Sequence, residues 1–304
     1  MARPADPPAA APASHGPATR GALLLLGSAT LFAGMVLAAK VASARLPGPE
    51  VAAVRFALSL AVVLVVFATR LVTLRIPRPL LPLLVLRGVF GGVAVLFYFM
   101  AVARGHAGTA TLLNFTSPVF TALFAWIFLR ERLSLWSLAA LVVAGAGVTL
   151  VWRASAGAGP VTWQPLGLIS AVLSGAAVTS IRALRRHGAI GAWSVFLFFN
   201  IFGLACTVPV AAPGFVVPTA GEWLWLGVMS LLAVAGQVLM THALGFVQAA
   251  LSGIIQQLTV VLTLAGGYCF LGEPLGLVSL VGAALTIAGV TWAARLAQRA
   301  EPEA

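Results

Sequence analysis

Arg87 is the residue in this sequence best suited to a binding role, because it is a permanent cation inside a long apolar run. It lies about eight residues into the run that begins near residue 79, or ~12 Å along a helix. No Asp or Glu occupies a comparable depth in any apolar run. Such a guanidinium either binds a substrate carboxylate or phosphate, or is a structural arginine bonded to backbone carbonyls or to Asn and Gln side chains. The sequence leaves both interpretations open.

The helical face that carries this arginine has the composition of a ligand groove. Gly91, Ala94 and Tyr98 follow it at i+4, i+7 and i+11, so the face combines a cation, two small residues and an aromatic ring. Phe97 and Phe115 could add the apolar wall that ligand pockets usually have. We therefore expect the arginine and Tyr98 to bind a small metabolite that carries an anionic group.

Polar residues recur with helical spacing in two other apolar runs. In each run they occur at i, i+3 and i+7, and therefore share one helical face. Matched polar faces predict a central substrate-binding cavity between the two runs. The alternative is hydrogen bonding between helices, which contributes about 0.6 kcal/mol per bond in membranes. The two stripes are Asn114, Ser117 and Thr121 in the first run, and Gln256, Thr259 and Thr263 in the second.

Three further cations lie nearer the ends of apolar runs. Lys40 and Arg182 occupy matched positions near opposite membrane surfaces, so we expect them to be gate charges or to snorkel to the membrane rim. Arg55 lies only about five residues from the predicted outer end of its run. We expect it to reach Glu50 or the lipid headgroups and to have a structural role.

Gln237, Thr241 and His242 form a polar cluster near the end of another apolar run. We expect Gln237 to contact substrate and its two neighbours to line the same path. A lone histidine is more often a satisfied bundle residue than a proton carrier.

Pro118 predicts a kink in its helix, because proline lacks the backbone N–H and leaves a carbonyl without a partner. Together with Gly91 and its neighbours Gly88 and Gly92, it could form a hinge, although close helix packing explains the glycines equally well. Val260 takes the place of this proline at the corresponding position in the second half of the chain, which argues against a symmetric hinge.

These residues are embedded in a chain whose composition is that of a membrane protein. Of 304 residues, 61% are hydrophobic and 8% are charged, which lies far from the usage of soluble domains. The apolar runs are continuous and about 20 residues long, so we predict an all-α integral membrane fold. We predict ten spans at residues 20–44, 50–69, 79–102, 107–129, 134–152, 164–186, 191–211, 221–245, 249–271 and 276–295.

The basic residues are distributed unevenly between the predicted loops. The chain has 18 basic and 7 acidic residues, a net charge of +11. Positive-inside topology explains this charge, so nucleic acid is not expected as a partner and both termini are expected in the cytoplasm. With that orientation Arg45, Arg104 and Arg153 lie outside. Twelve arginines lie inside, namely Arg3, Arg20, Arg70, Arg75, Arg78, Arg130, Arg132, Arg182, Arg185, Arg186, Arg295 and Arg299.

The two halves of the chain match each other, without a gap, when Ser28 is aligned with Ser170. We predict a disordered cytoplasmic tail at 1–18, a first five-helix repeat at 19–153 and a second at 162–295. Five is an odd number, so the second repeat must be inverted in the membrane, an arrangement typical of secondary transporters. The matches pair Ser28-Ala29 with Ser170-Ala171, Phe56 with Phe198, Glu131 with Glu273, and Gly147-Val148-Thr149 with Gly289-Val290-Thr291.

Two segments resemble the fourth-and-fifth-helix signature of EamA-type carriers in the drug/metabolite transporter superfamily. They are AVARGHAGTATLLNFTSPVFTALFAWIFLRERLSLWSLAALVVAGAGVTL and ALGFVQAALSGIIQQLTVVLTLAGGYCFLGEPLGLVSLVGAALTIAGV. Lys40 at the end of the first helix and the Arg55-Phe56 pair in the second are similar to the same pattern. The resemblance extends over residues 20–295 and implies a carrier, without specifying its cargo.

The function expected from these features is secondary transport of a small anionic or amino-acid-like metabolite, as exporter or exchanger, in a bacterial inner membrane. A passive pore or a lipid scramblase is the alternative. Motifs of enzyme chemistry are missing and the two cysteines lie in separate apolar runs, so we expect no catalysis, cofactor or metal. Without a mid-depth carboxylate a proton relay is disfavoured, which leaves exchange, facilitated movement or coupling through His242. The expected partners are substrate and bilayer, with the chain a monomer or weak homodimer.

Overall fold

The computed structural model describes residues 17–69, 76, 78–130, 135–156, 163–186, 190–243, 246 and 249–300. All regular structure in these ranges is helical. Short 3₁₀ turns, Arg78–Leu80 and Ala212–Gly214, precede α3 and follow α8. The α-helices are α1 Pro17–Ala42, α2 Gly48–Ala68, α3 Leu81–Arg104, α4 Ala107–Asn114, α5 Ser117–Leu129, α6 Leu135–Ala156, α7 Gln164–Arg186, α8 Ala192–Ala211, α9 Ala220–Ala243, α10 Ala249–Gln256, α11 Leu258–Leu271 and α12 Leu277–Ala300.

Within the described ranges, eight segments are long and apolar enough to cross a membrane. The protein is therefore a multi-pass membrane protein, and large apolar side chains such as Phe128 and Phe270 face outward. The apolar parts of α6 and α12 are shorter, at Leu138–Ala154 and Leu277–Ala293, so the count of ten spans stays a prediction. The eight segments are Thr19–Ala42, Gly48–Ala68, Arg78–Arg104, Ala107–Phe128, Gln164–Ile181, Trp193–Gly214, Ala220–Ala243 and Ile254–Leu271.

Two of the predicted spans are interrupted near their middle. The first breaks between α4 and α5 at Phe115 and Thr116, where Pro118 at the start of α5 cannot donate a helical hydrogen bond. The second breaks between α10 and α11 at Gln257, the position that corresponds to Phe115 in the match between the halves. The argument from Val260 against symmetry is therefore wrong for the interruption itself, because the second helix breaks without a proline.

The most extensive helix–helix interfaces join a helix that precedes residue 157 to one that follows residue 163. They pair α6 with α12, α1 with α9, α2 with α8, and α3 with both α7 and α8. Glycines allow the closest approaches. Gly92 of α3 packs on Gly203 of α8, and Gly88 packs on Phe202. Close packing, one of the two interpretations of the α3 glycines, is thus what the structure shows.

Candidate functional site

Arg87 points into the protein interior and rests on an aromatic ring. Its guanidinium carbon lies 4.6 Å from the ring centroid of Phe199 on α8, a cation–π contact. Its Nε is buried without a hydrogen-bond partner. Gly91, one turn later, leaves the necessary room, because a Cβ there would collide with Arg87 Nη1 and with the Phe199 ring. Both interpretations of Arg87, structural and anion-binding, therefore stay predictions.

Arg55 lies against the same ring, which the sequence did not indicate. Its guanidinium carbon is 5.7 Å from the Phe199 centroid and 5.1 Å from that of Phe56. The residue is 5% exposed, and its Nε and Nη1 are buried without partners. Glu50 instead accepts a hydrogen bond from the Val216 backbone N–H. The expectation that Arg55 reaches Glu50 or the headgroups is wrong, because α2 turns this residue toward α8.

We define the arginine cluster as the four residues Arg55, Arg87, Phe56 and Phe199. Arg55 is seven residues into α2 and Arg87 six residues into α3, so each lies ~10 Å from its helix end. Since both guanidinium groups lie over one ring, their charges are within about 10 Å of each other. Two unit charges at that distance repel by roughly 1.7 kcal/mol at an effective dielectric constant of 20. The cluster is a concentrated, uncompensated positive charge.

Tyr98 lies on the same face of α3 as Arg87 and Gly91. Its hydroxyl hydrogen-bonds the Thr111 hydroxyl at 2.8 Å, and Thr111 donates to the Ala107 carbonyl at 2.7 Å. The α3 face predicted from the sequence therefore does bring Arg87, Gly91 and Tyr98 to one region. Binding of a substrate by these residues stays a prediction.

Asn114, the first residue of the polar stripe that continues into α5, starts a chain of hydrogen bonds between helices. Its Nδ2 donates to the Ser170 hydroxyl of α7 at 2.6 Å. Ser170 in turn donates to the Ala94 carbonyl of α3 at 2.7 Å. The chain ties three helices together at the α4 end.

Gln256, the first residue of the second stripe, makes the corresponding chain. Its Nε2 donates to the Ser28 hydroxyl of α1 at 3.1 Å. Ser28 donates to the Gly236 carbonyl of α9 at 2.8 Å. When the two halves are aligned, each of these three residues falls on its counterpart in the other chain of hydrogen bonds.

The remaining stripe residues are also bonded within the bundle. Thr121 donates to the Ser117 carbonyl and Thr263 to the Thr259 carbonyl, at 3.0 and 2.7 Å. Thr259 also donates to the Ala29 carbonyl of α1. Thr121 and Thr263 bond within their own helices, whereas Asn114, Gln256 and Thr259 make the contacts between helices that were the alternative interpretation. Their exposure to a cavity stays a prediction.

The two helix interruptions meet each other. Nε2 of Gln257 donates a long hydrogen bond of 3.5 Å to the Phe115 carbonyl. The Phe115 carbonyl does not accept the usual helical hydrogen bond from the Val119 N–H, because that N–H donates to the Thr116 carbonyl instead. Interrupted spans that contact one another expose backbone polar groups in the membrane interior, where transporters commonly bind substrates and ions.

A row of aromatic rings, Trp193, Phe196 and Phe199, lies along α8, and a small cavity adjoins its Trp193 end. It has a volume of about 10 Å³ and is lined by Gln237, Thr241, His242 and the rings of Trp193 and Phe196. The centroids of the Phe196 and Phe199 rings lie 6.3 Å apart, so this row of rings connects the cavity with the arginine cluster. The structure thus brings Gln237, Thr241 and His242 to one cavity, as the sequence suggested. In the described part of the chain, no three His, Cys, Asp or Glu side chains are placed to hold a metal.

Comparison with known proteins identifies the family. The sequence matches the model of the EamA-like transporter family over residues 19–153 and again over 161–295. The chain belongs to the EamA-like transporter family. The resemblance seen in the sequence is confirmed, and the starts of the two matches, at residues 19 and 161, are in the same register as the alignment of Ser28 with Ser170.

Named relatives of this EamA-family chain are transporters. The pseudopaline exporter CntI of Pseudomonas aeruginosa is 30% identical over 275 residues, which cover 88% of this chain and 91% of that protein. Solute carrier family 35 member G1 of Mus musculus is 30% identical over 197 residues, or 59% of this chain and 52% of that one. A solved crystal structure with 23% identity covers 93% of this chain and 99% of the other with a TM-score of 0.62, which shows a shared fold. The protein is therefore a membrane transporter of the EamA-like transporter family.

In this EamA-family protein, Lys40 and Glu273 organise the turn between α3 and α4. The Lys40 ammonium donates to the carbonyls of Val102 and Gly105 at 3.0 and 2.6 Å, at the negative end of the α3 dipole. Glu273 accepts from the Ala107 backbone N–H at 2.6 Å, at the start of α4. Lys40 therefore neither snorkels nor lies free at the rim. The side chain of Arg182, its predicted gate partner, is outside the described residues.

Proposed function

We propose that this transporter is a secondary transporter that exports or exchanges a small metabolite by alternating access. Its ten helical spans would form two inverted five-helix halves, at residues 19–153 and 162–295. The main support is the pair of matched hydrogen-bond chains from Asn114 and Gln256, because corresponding residues make corresponding contacts across the halves. The matched interfaces of α1 with α9 and of α7 with α3 agree with this symmetry. Rocking of one half against the other around a central site then gives access from each side.

The proposed cargo is a metabolite with an anionic group, and Arg87 is its proposed anchor. The uncompensated arginine cluster supports an anion, since each buried guanidinium costs on the order of 2.5 to 3.5 kcal/mol in a bilayer. Tyr98, Gln237 and the polar stripes are the other proposed contacts. The pseudopaline exporter CntI aligns with this chain over nearly its whole length. Its name supports export as the direction of transport.

The proposed setting is a bacterial inner membrane with both termini in the cytoplasm. The bilayer and the substrate are the proposed partners, the chain acts as a monomer or weak homodimer, and nucleic acid is not a partner. The twelve-to-three distribution of arginines supports this orientation.

Counterflow in proteoliposomes tests the carrier cycle. Vesicles with the purified protein would be loaded with a mixture of carboxylates, phosphate esters, amino acids and amines, and exchange with isotope-labelled copies outside would be followed by mass spectrometry. A carrier gives saturable counterflow of few compounds. Linear, non-saturating flux without counterflow would indicate a passive pore, and lipid movement alone would indicate a scramblase.

Arg87 variants test the anchor in the same vesicles. Lysine keeps the charge but loses the bidentate geometry, so Arg87→Lys should retain part of the counterflow and Arg87→Gln almost none. Both proteins must insert and elute as the wild type does. Unchanged affinity of Arg87→Gln for an anionic cargo, or exclusive transport of cations, would contradict the anchor while leaving the carrier intact.

A further inference from the structure

Two guanidinium groups from different helices converge on one aromatic ring. Arg55 of α2 and Arg87 of α3 both lie over Phe199, and together they leave three buried N–H nitrogens without partners, Arg55 Nε, Arg55 Nη1 and Arg87 Nε. We propose that Arg55 and Arg87 form one binding site for a small dicarboxylate, with one carboxylate at each guanidinium. This inference rests on the proposed function and names the substrate class of the same site.

The protein offers these arginines no carboxylate of its own. Three acidic residues are described, and none pairs with either arginine: Glu50 accepts from the Val216 N–H through Oε2 while its Oε1 is buried without a partner, Glu222 binds Arg45, and Glu273 binds the start of α4. The other four acidic residues, Asp6, Glu131, Glu301 and Glu303, fall outside the predicted spans. Neutralisation of both cations by a single ligand therefore requires a ligand with two negative charges.

The hydrogen-bonding groups suit carboxylates in particular. A guanidinium presents parallel N–H donors whose spacing matches the two oxygens of a carboxylate. Ser59 adds a hydroxyl one turn after Arg55, and this Oγ is buried without a partner. A dicarboxylate can place one carboxylate at each guanidinium, whereas a monocarboxylate supplies one negative charge for two cations.

The remaining surroundings favour a flat apolar body between the two carboxylates. The rings of Phe56 and Phe199 pack edge to face at the cluster. Trp193 and Phe196 continue this aromatic surface along α8 to the small cavity beside Gln237. An aromatic dicarboxylate matches both the charge of the two arginines and the aromatic side chains beside them.

A matched pair of probes tests the second charge directly. Terephthalate and monomethyl terephthalate share one ring and differ by one negative charge. Their affinities for the purified full-length protein in detergent would be measured from the ligand-dependent rise of the unfolding temperature, followed by tryptophan fluorescence. We expect terephthalate to bind at least tenfold more tightly than the monoester. Equal affinities, or no binding of either compound, would overturn the proposal without any variant being needed.

Variants assign the two charges to the two arginines. Arg55→Gln should lower the affinity for terephthalate at least tenfold and leave that for the monoester within about threefold, because Arg87 still holds one carboxylate. Arg55→Lys, which keeps the charge, should retain part of the preference. The matched control is Arg20→Gln, which removes a guanidinium over Phe246 at a helix end and should change neither affinity. A dianion preference that survives Arg55→Gln contradicts the role of Arg55.

The result is separable from the carrier cycle. Counterflow of metabolites without a dianion preference leaves the transporter proposal standing and rejects the dicarboxylate site. A dianion preference without counterflow supports the site and rejects alternating access.

Discussion

The arginine cluster places two cations over one aromatic ring, with buried N–H groups that lack partners among the described residues. Arg55 and Arg87 make cation–π contacts with Phe199, yet buried N–H groups of both are unbonded. Replacement of buried charges by apolar residues of similar volume is often neutral or stabilising by about 1 to 4 kcal/mol. Residues kept in spite of such a penalty are typical of binding sites.

Arg87→Met should therefore make the ligand-free protein more stable while it removes anion binding. We expect the unfolding temperature in detergent to rise by at least about 2 °C, because an unpaired charge leaves the interior. Arg20→Met is the control, since Arg20 is exposed, and its unfolding temperature should stay within about 1 °C of the wild type. If Arg87→Met unfolds at a lower temperature than Arg20→Met, Arg87 has stabilising partners and the unpaired-cation interpretation is wrong.

Gly91→Ala tests the fit of the Arg87 guanidinium with the smallest possible change. The added methyl group would collide with Arg87 Nη1 and the Phe199 ring, so the guanidinium must leave its position. We expect a loss of anion affinity of at least tenfold. Gly227→Ala is the matched control, because nothing lies within 4 Å of a Cβ at that helical position. It should bind anions like the wild type and be slightly more stable, since alanine favours helices.

The contrast between the two arginines shows where prediction from sequence stops. Arg87 could be found because its depth and the spacing of Gly91 and Tyr98 define one helical face. Arg55 could not be placed, because α2 is apolar all round and no polar face indicates which side turns inward. One signal was available: Ser59 lies one turn after Arg55, the same spacing that revealed the polar stripes.

At the level of helices, the sequence predicts the spans well and their interruptions only in part. Pro118 explains the break before α5, because it removes a helical donor. The matching break at Gln257 has no such residue. Here the Gln257 side chain bonds the Phe115 carbonyl and Thr259 bonds the Ala29 carbonyl, so contacts between helices replace helical contacts. Such long-range compensation is not visible in local sequence.

Glu273 holds the first turn of α4, and its removal should loosen that end of the bundle. Its carboxylate accepts hydrogen bonds from Ala107 N–H and Gly108 N–H, which have no helical partners of their own. Loss of such a cap typically costs about 0.5 to 2 kcal/mol, so Glu273→Ala should speed amide exchange at residues 105–114 by about 2- to 30-fold.

Hydrogen–deuterium exchange with mass spectrometry would measure this effect. Glu222→Ala is the control, because its partner Arg45 lies in another loop and its loss should leave exchange at 105–114 unchanged. Unaltered exchange in Glu273→Ala would show that the α3–α4 turn is held by Lys40 and packing alone.

For the whole molecule, the interfaces argue that the two family matches do not fold as separate domains. The helices before residue 157 bury their faces mainly against helices after residue 163, as in the pairs α1–α9 and α6–α12. Gly147 of α6 lies on Gly282 and Thr286 of α12, and its counterpart Gly289 lies on Ala144. Each repeat therefore buries its apolar faces largely against the other repeat.

The number of spans decides whether the second half is inverted, and two reporter positions distinguish the possibilities. If α6 and α12 both span, there are ten crossings. Gly157 is then periplasmic and His187 cytoplasmic. If their short apolar stretches do not cross, there are eight, and the sides of Gly157 and His187 are exchanged. The C-terminus is cytoplasmic in both cases, so a terminal fusion alone does not discriminate.

We expect ten crossings, because eight would place Arg182, Arg185 and Arg186 outside, against the positive-inside rule. Alkaline phosphatase and green fluorescent protein inserted at Gly157 and at His187 would report the two sides. Phosphatase activity at Gly157 with fluorescence at His187 supports five helices per half and the inversion. The reverse pattern would remove the inverted repeat, and with it the symmetry that makes the Asn114 and Gln256 chains equivalent under alternating access.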